Sequence, residues 1–169
     1  MAIALQMILC IATIVAQATF SPWLSLNSVY PDLCLLLACL AGFLSHEYKG
    51  LLIGLTVGLL QDLLTPGGIG LNMILKGLAG FLAGMTTHAV STVTSGAVAI
   101  VTLVISLGAG LVSLIVTYPT LVSTEAFQLV TRMLIPQAVY HSVLAAGVFW
   151  LAHKIQHSFG VIHFSQGRR

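Results

Sequence analysis

The sequence predicts an all-α integral membrane protein, a bundle of about six transmembrane helices. Three observations carry that prediction. Of 169 residues, 58% are hydrophobic and only 6% are charged, whereas roughly a quarter are charged in soluble globular domains. The apolar residues fall in long runs divided by short clusters of charge, proline and glycine. The six basic and four acidic side chains are scattered over the whole length, so neither end contains a water-soluble unit, and residues 1–169 read as a single transmembrane domain.

The first span is Ala2 to Phe20. Ala16-Gln17-Ala18 within it has the form of a signal-peptidase site, but no Lys or Arg precedes the run and it outlasts a usual signal core, so it reads as a membrane helix. Pro22, Asn27 and Pro31 mark a connector. Asp32 suits the first turn of the second span, where a carboxylate meets the positive end of the helix dipole. That span continues to about Leu44. His46-Glu47-Tyr48-Lys49 reads as a polar turn before the third span, Gly50 to Leu64. Thr65-Pro66-Gly67-Gly68-Ile69-Gly70 is a tight connection, and the fourth span follows to about His88. The fifth spans about Gly96 to Tyr118 and the sixth about Met133 to Leu151.

At ~1.5 Å per residue the third span is only ~22 Å long, against a hydrocarbon core of ~30 Å. The second to fourth spans are therefore expected to pack inside the bundle or to thin the bilayer; four full spans plus a re-entrant hairpin is the alternative. With the N-terminus inside, Lys49, Lys154, Arg168 and Arg169 are cytoplasmic, Arg132 is outside and Lys76 lies within a span. That asymmetry predicts both termini on the cytoplasmic side of a cytoplasmic membrane.

Gly50, Gly54 and Gly58 recur at four-residue intervals, as do Gly80 and Gly84. Such stripes let helix backbones approach closely and read as packing faces; Ala12 and Ala16 are a weaker version. Asp62 continues the first stripe by one step and Lys76 begins the second, which predicts an intramembrane ion pair between Asp62 and Lys76 across the third and fourth spans. The competing expectation has Lys76 snorkelling to the headgroups and Asp62 bonding the glycine-rich turn. His141, five residues after Pro136, is expected to hydrogen-bond a neighbouring helix. His153 and His157, with His163 beyond, have metal-ligand spacing but no carboxylate or cysteine beside them, and read as a solvated helix end. Cys10, Cys34 and Cys39 lie in apolar runs and read as packing residues. No nucleophile with a base, paired carboxylates or metal set appears, so no enzyme site, metal or cofactor is expected. A net charge of +2, scattered as it is, gives no reason to expect nucleic-acid binding.

The stretch from Tyr30 to Met85 resembles the MreD family of bacterial rod shape-determining membrane proteins. The matching residues are Pro31-Asp32 opening a Leu-rich helix, Gly50-Leu-Leu-Ile-Gly54-Leu-Thr-Val-Gly58-Leu-Leu-Gln-Asp62, Pro66-Gly67-Gly68-Ile69-Gly70-Leu71, and Leu78-Ala-Gly80-Phe-Leu-Ala-Gly84. Lys76 is not explained by the resemblance. What it implies is a non-catalytic component of the elongation machinery (the elongasome) that directs peptidoglycan synthesis along the side wall. Its partners would be MreC, a single-span protein, and within the same complex the MreB filament, RodA and its penicillin-binding transpeptidase. The fold implied is that of the substrate-binding components of energy-coupling-factor transporters. A vitamin-capturing component of that kind is the alternative function, and would need a pocket built from Trp23, Asn27, Tyr30, Tyr118 or Glu125. A small ion or proton transporter would rest on Asp62, Lys76 and His141.

Overall fold

The computed structural model describes residues 2–20, 23, 25, 29–65, 70–89, 93–120 and 123–159. Its elements are all helical: α1 (Ala2–Phe20), α2 (Leu33–Leu44), α3 (Glu47–Leu64), α4 (Leu71–Ala89), α5 (Ser95–Thr117), α6 (Ser123–Leu129), a π-helical segment (Val130–Leu134) and α7 (Ile135–Phe159). Pro22, Asn27, the turn residues 66–69, His163, Arg168 and Arg169 lie outside the described residues, as does the side chain of His157.

Helix starts follow local chemistry. Asp32 is the N-cap of α2, its carboxylate accepting from the backbone N–H groups of Cys34 and Leu35, which satisfies two of the donors that every helix start leaves unpaired. Thr94 caps α5 through Ala97 N–H in the same way. α3 begins at Glu47 rather than Gly50, since two residues, Ser45 and His46, suffice to turn the chain, and Glu47 then occupies the first helical turn where the dipole favours a carboxylate. At 18 residues α3 is ~27 Å long, and the short helix is instead α2, whose 12 residues make ~18 Å.

The sixth span is the largest departure from expectation. Helix begins at Ser123, ten residues before Met133, and continues to Phe159. Pro136 supplies the reason for the wide turn between: it has no N–H to donate and its ring would press on the preceding turn of a regular helix. The chain widens over Val130–Leu134, and the N–H of Ile135 bonds the carbonyl of Val130. Arg132, expected in an outer connection, is an exposed residue of this π segment.

α2 is the central helix. Nine of its residues are buried, and it touches α1, α3, α4, α5 and α7. α2, α3 and α4 pack as one tight unit, α5 and α7 as another, and the two meet where α4 lies on α5 and where α2 meets α5 and α7. Leu35, Cys39 and Phe43 of α2 join Val98 and Ile105 of α5 and Ala145 and Phe149 of α7 in one core cluster; Cys10 docks α1 on Cys34, Ile53 and Val57 in another. The outer faces of the helices carry large exposed apolar side chains, among them Ile8, Leu63, Ile100 and Val143. That surface suits lipid and not water. Ser95–Thr117 and Thr124–Ile155 are long and apolar enough to cross a membrane, while Gln6–Phe20 and Leu33–Leu44 are shorter apolar helices.

The glycines sit where backbones touch. A Cβ on Gly50 would strike the carbonyl of Gly80, one on Gly54 the carbonyl of Lys76, one on Gly58 the carbonyl of Asn72, and one on Gly84 the backbone of Glu47. Gly42 of α2 completes the arrangement against Gly80 and Gly84, so that α2, α3 and α4 converge at Gly42, Gly50 and Gly80.

Candidate functional site

The start of α2, the end of α3 and the start of α4 bring together two carboxylates and a lysine, which divide the work in a way the sequence does not suggest. α4 begins after Gly70, which has φ +113°, a conformation open to glycine and strained for other residues. Glycine has no side chain with which to cap the helix. Asp62, at the end of α3, supplies the cap from outside: it accepts from the backbone N–H groups of Gly70 (2.9 Å), Asn72 (3.2 Å) and Met73 (3.0 Å) and from Asn72 Nδ2 (2.9 Å). Its carboxylate is 5% exposed and its four acceptor positions are filled.

Lys76 therefore finds a different partner. Its ammonium forms a salt bridge to Asp32 Oδ2 at 2.9 Å and donates to Asn72 Oδ1 at 2.8 Å. The expected Asp62–Lys76 ion pair is not formed. The reason is geometric: α2, α3 and α4 pack against one another, and Lys76, one turn beyond Asn72, reaches the start of α2 while Asp62 is held by the N-terminus of α4. Lys76 is 2% exposed, so it does not snorkel either. Of the competing expectation, the half that assigned Asp62 to the turn describes the structure. Asn72 links the two carboxylates, giving to Asp62 and accepting from Lys76.

The start of α2 is gripped from a third side by α7. Gln137 Nε2 donates to the carbonyl of Tyr30 (2.9 Å), and one turn on the backbone N–H of Asp32 donates to His141 Nε2 (2.7 Å). Because Nε2 accepts, the ring proton of neutral His141 resides on Nδ1, which donates to Ser106 Oγ of α5 at 2.7 Å. His141 is 2% exposed and joins α2, α5 and α7. On the far side Gln17 Oε1 of α1 accepts from Cys34 N–H (3.1 Å).

Between the two helical units, these groups border a partly open cavity of about 130 Å³ with Asp32, Asn72, Lys76, Ser113, Gln137 and His141 in its wall. Trp23, Tyr30, Tyr118 and Glu125 do not line it. At the opposite end of α7, His153 stacks on Phe149 and Lys154 lies over the Trp150 ring at 4.9 Å. Among the described residues no group of three or more His, Cys, Asp or Glu could hold a metal. Asp32 and His141 were visible in the sequence singly, whereas Asn72, Ser106 and Gln137 carried no signal beyond being polar residues in apolar runs.

Asp62→Ala is expected to lower stability by about 1–3 kcal/mol, the usual cost of leaving buried donors without partners, and Asp62→Asn by less. Unfolding of the purified full-length protein in mixed micelles measures it. An Asp62→Ala protein as stable as the parent would rule out the external cap.

Comparison with known proteins adds one finding. The family model described as rod shape-determining protein MreD matches residues 1–155. No curated protein and no solved structure matches the chain.

Proposed function

The chain belongs to the MreD family of rod shape-determining proteins, and from that premise we propose that it is a non-catalytic membrane component of the elongation machinery that binds MreC. The observation that carries the proposal is the extent of the match, 155 of 169 residues. MreB, RodA and the penicillin-binding transpeptidase are the further partners within the same complex, acting where side-wall peptidoglycan is made. Lipid-facing apolar surfaces and glycine-lined helix contacts support a scaffold that works by packing against other membrane helices. Depletion in the native host should turn rods into spheres, with elongation failing before division, and mild-detergent purification should bring MreC down with it. Rods that persist after complete loss would sink the proposal.

The same reading takes α1, α2, α3, α4, α5 and the continuous α6–π–α7 element as six spans of one transmembrane domain, with both termini cytoplasmic and a fold of the kind found in energy-coupling-factor substrate-binding components. Support comes from the apolar exterior and from the excess of Lys and Arg on one side. A cysteine at Thr124, an exposed residue of α6, should react with a membrane-impermeant thiol reagent on intact cells, and one at Gln166 only after permeabilisation; the reverse pattern would invert the topology. The vitamin-capture alternative is not favoured, because the family matched is one of shape determination and the cavity, about 130 Å³, is well below the roughly 300–1,000 Å³ of small-molecule pockets.

A further inference from the structure

The bonds that hold the polar cluster together leave part of it unused. Lys76 has three N–H donors, of which Asp32 and Asn72 take two. Ser113 has no hydrogen-bond partner among the described residues, and Gln137 uses one amide proton on Tyr30, leaving its second proton and its oxygen. Asp32, whose side chain is 22% exposed, keeps acceptor capacity on Oδ2 beyond the lysine contact. All four line the same cavity, which lies between two helical units of an otherwise apolar protein. Buried ionisable groups in such a setting mark a site of function by default, and free donors and free acceptors converge here on one space.

Charge narrows the occupant. Lys76 is neutralised by Asp32, and His141 accepts at Nε2 and is held neutral by its bond from the Asp32 N–H, so the wall carries no net charge. An anion would meet the Asp32 carboxylate and a cation the Lys76 ammonium, each at unfavourable range. A hydroxyl meets neither objection, since one oxygen both accepts from an ammonium or amide and donates to a carboxylate. The cavity, about 130 Å³, has room for several water-sized groups, enough for a pair of adjacent hydroxyls with their carbons. We infer that the cavity bounded by Asp32, Lys76, Ser113 and Gln137 is a binding site for a small uncharged polyol group, such as a glycerol moiety or one edge of a sugar.

Such a group reaches a membrane protein either on a lipid headgroup or as a free solute, and the test separates the two. Delipidated full-length protein in detergent is titrated with phosphatidylglycerol, and with phosphatidylethanol of the same acyl chains, which has the same phosphodiester charge and no diol. Binding is read by native mass spectrometry. A preference of ten-fold or more for phosphatidylglycerol assigns the site to a lipid; no lipid preference, with saturable binding of free glycerol or sorbitol, assigns it to a solute. Either preference should vanish in Ala109→Leu, which puts a larger side chain at a position in the α5 wall of the cavity, and fall at least three-fold in Ser113→Ala, which removes a hydroxyl without a structural bond. If Ala109→Leu does not fold, Ser113→Ala decides alone. The inference is overturned if the parent protein neither discriminates between the lipids nor binds the free polyols, or if the binding is unchanged in a folded Ala109→Leu or in Ser113→Ala. Cell shape plays no part in these readouts, so failure here leaves the proposed function standing.

Discussion

Gly54→Leu is expected to deplete the folded protein from the membrane, with the loss of rod shape that follows. The Cβ alone would strike the carbonyl of Lys76 and the Cα of Gly77, and both atoms belong to the backbone of α4. A side chain can swing aside, but a helix backbone can only translate. Moving α4 outward would strain the Lys76–Asp32 salt bridge, the Asp62 cap and the contacts at Gly50 and Gly80 together. Overpacking in a well-packed core costs ~1–3 kcal/mol and occasionally more, and the rigidity of this neighbour puts Gly54 at or above the upper end. Two other glycines supply controls. A Cβ on Gly77 meets the flexible end of Leu55, and one on Gly108 meets nothing within 4 Å. Gly77→Ala should therefore be mild, and Gly108→Ala should stabilise by about 0.5–1 kcal/mol through helix propensity. Thermal unfolding of the detergent-solubilised proteins, monitored by size-exclusion, ranks the three. A Gly54→Leu protein that melts with the parent would refute the close approach of α3 and α4.

The glycine stripes were legible because a four-residue repeat stands out in an apolar helix, and their contact with another backbone follows from the absence of a side chain. Gly42 was not legible: it is a lone glycine in a leucine-rich run, with no repeat to mark it, and only the crossing of three helices gives it a role. The ends of α1, α4 and α5 were read to within a residue or two from charge, proline and glycine. The start of α6 was missed because residues 119–132 have the polarity of a loop, although Glu125 in a first turn is equally a helix start. Partner choice was the least legible feature of all. Spacing along α3 and α4 placed Asp62 and Lys76 on facing stripes, but it held no information about α2, which brings a second carboxylate from 44 residues upstream of Lys76 in the sequence. Nor could it reveal that Gly70 leaves α4 without a cap of its own and so claims Asp62. Two acids competing for one lysine are decided by which is already saturated with backbone donors.

That competition leads to the second large effect. Lys76→Met should lower stability by roughly 3–5 kcal/mol, the range found when one partner of a buried ion pair is removed and the other is left charged and unpaired. The lower part of that range is expected, because the Asp32 side chain keeps 22% of its exposure and water can offset part of the loss. Adding Asp32→Ser to Lys76→Met should then recover most of it. Serine removes the stranded charge yet remains one of the preferred N-cap residues, so the N–H groups of Cys34 and Leu35 keep an acceptor, and the backbone N–H of residue 32 can still reach His141 Nε2. Methionine fills the volume of the lysine stem with apolar atoms, and replacing a buried ion pair in this way is often close to neutral. The informative control is Asp62→Ser with Lys76→Met. If Asp62 were the partner of Lys76, this pair would be the one that recovers; with Asp62 bound to four donors, one on Gly70 and three on the first turn of α4, it should instead be worse than Lys76→Met alone, since it loses the ion pair and the cap together. Equilibrium unfolding of the four proteins (parent, Lys76→Met, the Asp32 double variant and the Asp62 control) in mixed micelles gives the comparison. Recovery in the Asp62 double variant, with none in the Asp32 double variant, would overturn the assignment of Lys76 to the N-terminus of α2.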